Sequence, residues 1–188
     1  MKSILMISFL LLAVFSCTVD DNTVLSEEEA SQIVTDIIYY ISPGPLETGD
    51  RAPNFVMNPG TDLEKQLRDL RGNIVLLDFA LNGCVNCALA EPNIKQVYKD
   101  NSQGNFKLIK IHSQYLREEF MKNVEEAPGL IHVWEPGFAE HKLSALYDVR
   151  GYPTAIIIDE LGYIREYVSP LNPNLSEKIA NYIENINP

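Results

Sequence analysis

The chain has 188 residues, with 15 Lys and Arg against 26 Asp and Glu, which gives a formal net charge of −11. This length suits one domain of ordinary size, and the acidic balance argues against nucleic-acid binding, which needs a basic surface to neutralise phosphates. The three cysteines are too few for a disulfide framework, and their odd number requires an explanation.

The beginning of the chain has the pattern of a secretory signal peptide. A cationic residue precedes an apolar run over residues 4–15, which is shorter than the roughly 20 residues that span a bilayer. Residues 14–17, Val-Phe-Ser-Cys, resemble a bacterial lipobox, in which the cysteine is lipidated and becomes the mature N-terminus. We therefore expect residues 1–16 to be a lipoprotein signal peptide and Cys17 to hold the protein at a membrane. The alternative is an ordinary signal peptide with a chance cysteine at its end.

Residues 17–47 are expected to form a tether followed by an amphipathic helix. Ser26 and Glu29 have the spacing of a capping box, and apolar residues then recur at helical spacing up to about residue 41. Pro and Gly at residues 43–45 end this helix.

Residues 48–188 are expected to form one domain in which strands and helices alternate. Apolar, β-rich runs predict buried strands, and apolar residues at helical spacing predict helices. The strands are predicted at residues 74–79, 106–111, 154–158 and 163–168, and the helices at about 85–99, 115–126, 139–147 and 175–186. Such alternation is typical of a central sheet covered by helices on both faces.

Cys84 and Cys87 lie between a predicted strand and the start of the next helix. Residues i and i+3 of a helical turn are about 5–6 Å apart, a separation that a disulfide accepts. The partial positive charge of a helix N-terminus favours the thiolate of the first cysteine, and the thiolate is the form that attacks a disulfide. We therefore expect Cys84 to be the nucleophile and Cys87 to be the resolving thiol.

Two other interpretations of the cysteine pair remain open: half of a metal site, or two inert core thiols. A zinc site needs further ligands, and His112, His132 and His141 show no paired spacing that would supply them. For His112, at a predicted strand end, a hydrogen-bonded structural role is favoured over tuning of the thiols.

Four motifs in order resemble the thioredoxin-like family, specifically its membrane-anchored TlpA/ResA type. They are Gly-Asp-Arg-Ala-Pro-Asn-Phe at residues 49–55, the approach to the active-site strand at 67–79, Pro92 five residues after the second cysteine, and Gly-Tyr-Pro-Thr at 151–154. The resemblance implies a thioredoxin-like α/β fold, with a central mixed β-sheet flanked by helices. To this the chain would add its extra N-terminal helix.

The resemblance also implies roles for individual residues. A cis Tyr152–Pro153 bond would place backbone beside Cys84, where an extended substrate pairs with it. Asp78, six residues before Cys84 in an apolar strand, would act as general base toward Cys87. An Asp78 that faces solvent or caps a loop is the alternative.

The implied activity is thiol–disulfide exchange with exported proteins in the cell envelope, more often as reductant. A membrane electron donor or acceptor would restore the pair, and no cofactor is expected because the dithiol is the redox group. The family usually has Trp before the first cysteine, where this chain has Gly83. A non-catalytic binding or scaffold module with the same fold is the alternative function.

Overall fold

The computed structural model describes residues 45–57, 64–113, 116–124, 127–135 and 142–186. The expected signal peptide, the lipidation site Cys17 and the N-terminal helix at 26–41 lie outside the described residues. No helix of the described part is long and apolar enough to cross a membrane.

The described domain contains seven strands and four α-helices, together with a 3₁₀ helix at Leu67–Leu70. In chain order the elements are β1 (Val56–Met57), β2 (Lys65–Gln66), β3 (Ile74–Leu81), α1 (Val85–Asn101), β4 (Phe106–Ser113), α2 (Arg117–Asn123), β5 (Leu130–Glu135), α3 (Lys142–Leu146), β6 (Thr154–Ile158), β7 (Ile164–Val168) and α4 (Leu175–Ile186).

Five strands form the central sheet in the order β5-β4-β3-β6-β7, while β1 and β2 form a separate antiparallel pair. Strands β3, β4 and β5 are parallel, and β6 and β7 are antiparallel to their neighbours. The sheet is therefore mixed, as predicted. The carboxyl ends of the three parallel strands meet at one edge of the sheet. Helix α1 begins there, directly after Cys84, and carries Cys87 in its first turn.

Each face of this sheet is covered by its own apolar cluster, because successive side chains of a strand point to opposite faces. On one face Ile74 and Leu76 pack with Ile94 and Val97 of α1 and with residues of α4. On the other face Val75, Leu77 and Phe79 pack with Tyr147 and with the segment before β3. This burial fixes the position of α1 and of the turn that precedes it.

Strand β5 was not predicted from the sequence. Its residues Leu-Ile-His-Val-Trp-Glu lack a continuous apolar run, since a histidine and a glutamate interrupt it. The strand lies at one edge of the sheet and pairs only with β4. Helix α2 is also shorter than the predicted 115–126. Of the predicted helix at 139–147 the structure describes Lys142–Leu146.

Candidate active site

Cys84 and Cys87 form a disulfide at the N-terminus of α1, with their Cα atoms 5.2 Å apart. Cys84 is the N-cap residue, and its Sγ accepts a hydrogen bond from the backbone N–H of Cys87 at 3.0 Å. Cys84 is half-buried, whereas Cys87 is buried in the first turn of the helix. Cys84 is therefore the more accessible of the two residues to a large reaction partner.

A tight turn connects β3 to the disulfide. The N–H of Cys84 donates to the carbonyl of Leu81 at 3.2 Å. Gly83 has φ +74°, and apart from its two chain neighbours no residue has an atom within 4 Å of the place of a Cβ. Glycine is thus required here by the left-handed backbone and not by lack of space. Asn82 Nδ2 donates to Glu119 Oε2 at 3.1 Å, which connects the turn to α2.

The Tyr152–Pro153 peptide bond is cis. Thr154, the next residue, pairs with Phe79 on β3, so Pro153 lies beside the carboxyl end of the strand that leads to Cys84. The structure thus brings this loop and the disulfide to the same edge of the sheet.

A buried hydrogen-bond network fixes the side chain of Tyr152. Its hydroxyl donates to Ser144 Oγ at 2.8 Å, and that hydroxyl donates to Glu135 Oε2 at 2.6 Å. Glu135 also accepts hydrogen bonds from Ser113 Oγ at 2.5 Å and from the backbone N–H groups of Leu143 and Ser144, both at 2.9 Å. A buried carboxylate requires such partners, and Glu135 in turn connects β4, β5 and α3 to the cis-proline loop.

Asp78 is 3% exposed and lies in β3 on the face that α1 covers. The alternative of a solvent-facing Asp78 is therefore wrong. Burial raises the pKa of the carboxyl group from 3.8 to about 7, opposed by the positive charge of Lys110 and assisted by the negative charge of Glu91. Asp78 thus changes its protonation state close to neutral pH.

His112 and His132, on neighbouring parallel strands, stack with their ring centroids 5.1 Å apart. His112 Nε2 and His132 Nδ1 are 2.8 Å apart, a hydrogen-bond distance. Burial and the neighbouring charges of His132 and Lys110 lower the pKa of His112 from 6.5 to about 3. The expected hydrogen-bonded role of His112 agrees with this contact, which the spacing of the two histidines along the sequence does not indicate.

The described residues contain no group of three or more His, Cys, Asp or Glu side chains that could hold a metal ion. Sequence reasoning also missed Lys110, Glu91 and Glu135 as parts of the site. A lysine within the apolar strand Phe-Lys-Leu-Ile-Lys-Ile was a usable signal, because a buried lysine needs a partner. The identity of that partner depends on tertiary packing.

Comparison with known proteins agrees with this geometry. A thioredoxin-like family model matches residues 72–164. The thiol-disulfide oxidoreductase ResA of Bacillus cereus is 26% identical over 157 residues, which cover 80% of this chain and 84% of that protein. The thioredoxin-like protein YneN of Bacillus subtilis is 27% identical over 123 residues, or 64% of this chain and 71% of YneN.

Solved structures show the same fold. A putative thiol:disulfide interchange protein DsbE from Chlorobium tepidum superposes with a TM-score of 0.61 at 25% identity, covering 75% of this chain and 98% of that one. A putative protein disulfide isomerase from Bacteroides thetaiotaomicron reaches a TM-score of 0.60 at 22% identity, covering 74% and 91%. The fold, the family match and the relatives agree: the chain has a thioredoxin-like fold and is similar to thiol-disulfide oxidoreductases of the TlpA/ResA type.

Proposed function

We propose that this protein is a thiol–disulfide oxidoreductase that reduces disulfides of exported proteins, with Cys84 as nucleophile and Cys87 as resolving thiol. The observation that supports this best is the hydrogen bond from the Cys87 N–H to Cys84 Sγ at the start of α1. In the reduced protein the same donor and the helix N-terminus stabilise a thiolate on Cys84. The relatives named as thiol-disulfide oxidoreductases support the same reaction class.

The reaction consists of two exchanges. The Cys84 thiolate attacks one sulfur of the client disulfide, forms a mixed disulfide and releases the other client sulfur as a thiolate, which takes up a proton. Cys87 then loses its proton and attacks Cys84 Sγ, so that the Cys84–Cys87 disulfide forms and the second client thiol leaves. The client gains two electrons and the enzyme loses two, which a dithiol donor must return.

Asp78 is the proposed acceptor of the Cys87 proton. It lies on the sheet face beneath the helix that carries Cys87, and its pKa of about 7 suits a base that exchanges protons near neutral pH. The second exchange then accelerates as Asp78 ionises with rising pH.

The cis-proline loop and Gly83 are the proposed client-binding elements. Tyr152 and Pro153 lie at the same sheet edge as the disulfide, and an extended client segment would pair with their backbone. Gly83 contributes a side-chain-free surface next to Cys84.

The proposed setting is the cell envelope, with Cys17 lipidated and a membrane donor supplying electrons. The sequence at residues 1–17 supports the anchor. Labelling of the expressed chain with radioactive palmitate tests it. Label that is lost in Cys17→Ser and kept in Cys84→Ser supports a lipoprotein, and absence of label from the wild type contradicts the anchor.

Trapping of a mixed disulfide tests the exchange reaction. In Cys87→Ser the first exchange proceeds and the second cannot, so we expect envelope proteins bound to Cys84 through a reducible bond. The matched control Cys84→Ser should trap none. A wild type that neither turns over a model protein disulfide such as insulin nor traps a partner as Cys87→Ser would favour the binding-module alternative.

A further inference from the structure

Lys110 is buried in β4 and lies between two carboxyl groups. It is the register neighbour of Asp78 on the parallel strand β3, and parallel neighbours share one face of the sheet. Its ammonium nevertheless donates to both carboxylate oxygens of Glu91 on α1, at 2.7 and 2.6 Å. The cation therefore forms its direct ion pair with the helix residue and acts on Asp78 through space.

Asp78 and Glu91 differ in exposure, so it matters which of them binds the Lys110 ammonium. Asp78 is 3% exposed, whereas the side chain of Glu91 is 37% exposed. A deeply buried carboxylate gains more from a direct cation than a half-exposed one, because water already stabilises the second. Because Lys110 pairs with Glu91, no direct cation offsets the free-energy cost of burying a negative charge on Asp78.

We infer that Glu91 is a positioning residue for the second exchange: by binding the Lys110 ammonium, it keeps that cation from pairing with Asp78, so that Asp78 stays able to take the proton of Cys87. This inference rests on the proposed function, in which Asp78 serves that step. If Glu91 is removed, Lys110 can move to Asp78, which would then be held as an ion pair and become a weaker base.

Further titratable groups lie on this side of the sheet. They are His112 on β4, His132 on β5, Cys87 and Lys95 on α1, and the pair of Glu166 on β7 with Lys178 on α4. The β6 neighbour of Asp78 is the apolar Ala155. Lys95 is 3.8 Å from Glu91 and exposed, so it screens Glu91 weakly and does not replace Lys110.

The test compares Glu91→Gln with Glu166→Gln in the full chain carrying Cys17→Ser, so that only the cysteine pair reacts. The Lys178–Glu166 pair is a matched control, since its Nζ lies 2.6 and 2.8 Å from the two carboxylate oxygens and its Glu side chain is 39% exposed. The reduced protein is mixed with 5,5′-dithiobis(2-nitrobenzoate). The second thionitrobenzoate release reports attack by Cys87, and its rate is measured from pH 5 to pH 9.

We expect the wild-type rate to rise with a midpoint near 7, the value at which Asp78 ionises. In Glu91→Gln the midpoint should fall by about one pH unit, because an adjacent opposite charge favours the ionised carboxyl group. Glu166→Gln should leave it unchanged. Lys110→Gln should move it upward, so the two partners of one ion pair shift the profile in opposite directions, which a loss of packing would not do.

A Glu91→Gln midpoint equal to the wild-type midpoint, or one that Glu166→Gln reproduces, overturns the inference while leaving the exchange reaction intact. The Asp78 carboxyl carbon, followed by ¹³C NMR in the reduced protein, separates this from failure of the proposed function. A different outcome is that the NMR titration of Asp78 shifts in Glu91→Gln, while the wild-type exchange rate shows no pH midpoint or shows one that persists in Asp78→Asn. In that case Asp78 is not the base, and the role inferred for Glu91 is wrong as well.

Discussion

Asp78 and Glu135 are two buried carboxyl groups on opposite faces of the same sheet. Asp78 is 3% exposed and Glu135 is 2% exposed, so burial does not distinguish them. Within the described residues, Glu135 accepts hydrogen bonds from the hydroxyls of Ser113 and Ser144 and from the backbone N–H groups of Leu143 and Ser144. The neighbouring cation of Asp78 is instead bound to Glu91.

The difference shows that hydrogen-bond donors, and not depth, decide what a buried carboxyl group does. A carboxylate that is satisfied by fixed donors serves as a structural connector. One that is left with its desolvation cost changes protonation near neutral pH and can take part in proton transfer. The first holds the cis-proline loop, and the second lies under the helix of the dithiol.

The largest expected effect comes from Asp78→Asn. The pKa of Asp78 rises from its ordinary value of 3.8 to about 7 in the folded protein. Between these two pH values the folded protein keeps Asp78 protonated while the unfolded chain ionises it, so the free energy of unfolding falls as the pH rises from 3.8 to about 7. The free energy of unfolding at pH 8 should therefore increase in Asp78→Asn, by about 4 kcal/mol at most. At pH 4 the two proteins should differ by less than about 1 kcal/mol. Urea unfolding of the oxidised proteins at both pH values measures this, and equal differences at pH 4 and pH 8 would contradict it.

Glu135→Leu should have the opposite sign. The leucine has a similar volume but accepts no hydrogen bond, so the two N–H groups of Leu143 and Ser144 and two hydroxyls lose their acceptor. We expect a loss of about 3 kcal/mol in the free energy of unfolding, nearly independent of pH from 6 to 8. Leu161→Ala at an exposed site is the control and should change it by less than about 0.5 kcal/mol. A higher free energy of unfolding in Glu135→Leu would contradict the structural role of Glu135 and with it the contrast to Asp78.

His112→Gln tests how the buried His112 changes the stability of the protein in acid. The pKa of His112 falls from 6.5 to about 3 on folding. Below pH 6.5 the unfolded chain therefore binds a proton at this histidine that the folded protein does not bind. The free energy of unfolding decreases as the pH falls. Between pH 6.5 and 4.5 the wild type should lose about 2–3 kcal/mol more than His112→Gln. Thermal unfolding across that range measures the difference. Parallel pH curves for the two proteins would count against it.

Tyr152→Phe should have the smallest effect. The variant loses the hydrogen bond to Ser144 and about 1 kcal/mol of stability. Because the loop is the proposed client-binding element, KM for a protein disulfide should rise severalfold while the rate with a small disulfide stays constant. Tyr167→Phe, which removes another tyrosine hydroxyl hydrogen bond, is the matched control and should leave KM unchanged. If KM is the same in the wild type, Tyr152→Phe and Tyr167→Phe, the hydrogen bond from Tyr152 to the Glu135 network does not contribute to client binding.

The sequence predicts the elements that are continuous along the chain. Strand β3, helix α1 and the cysteine pair follow from apolar runs, helical spacing and the position of Cys84, and the buried Asp78 follows from its place in an apolar strand. The ion pair of Lys110 with Glu91 and the contact of His112 with His132 connect residues 19 and 20 positions apart. These contacts depend on strand register and helix packing, which no local pattern specifies.

Gly83 has a further consequence for recognition. With φ +74° and open space where a side chain would stand, any other residue here strains the turn. The enzyme itself thus contributes no side chain to cover Cys84 on this side. We expect the client to supply those atoms, so that a bulky residue next to the client cysteine fits against the bare turn. Selectivity would then follow from the shape of the incoming segment.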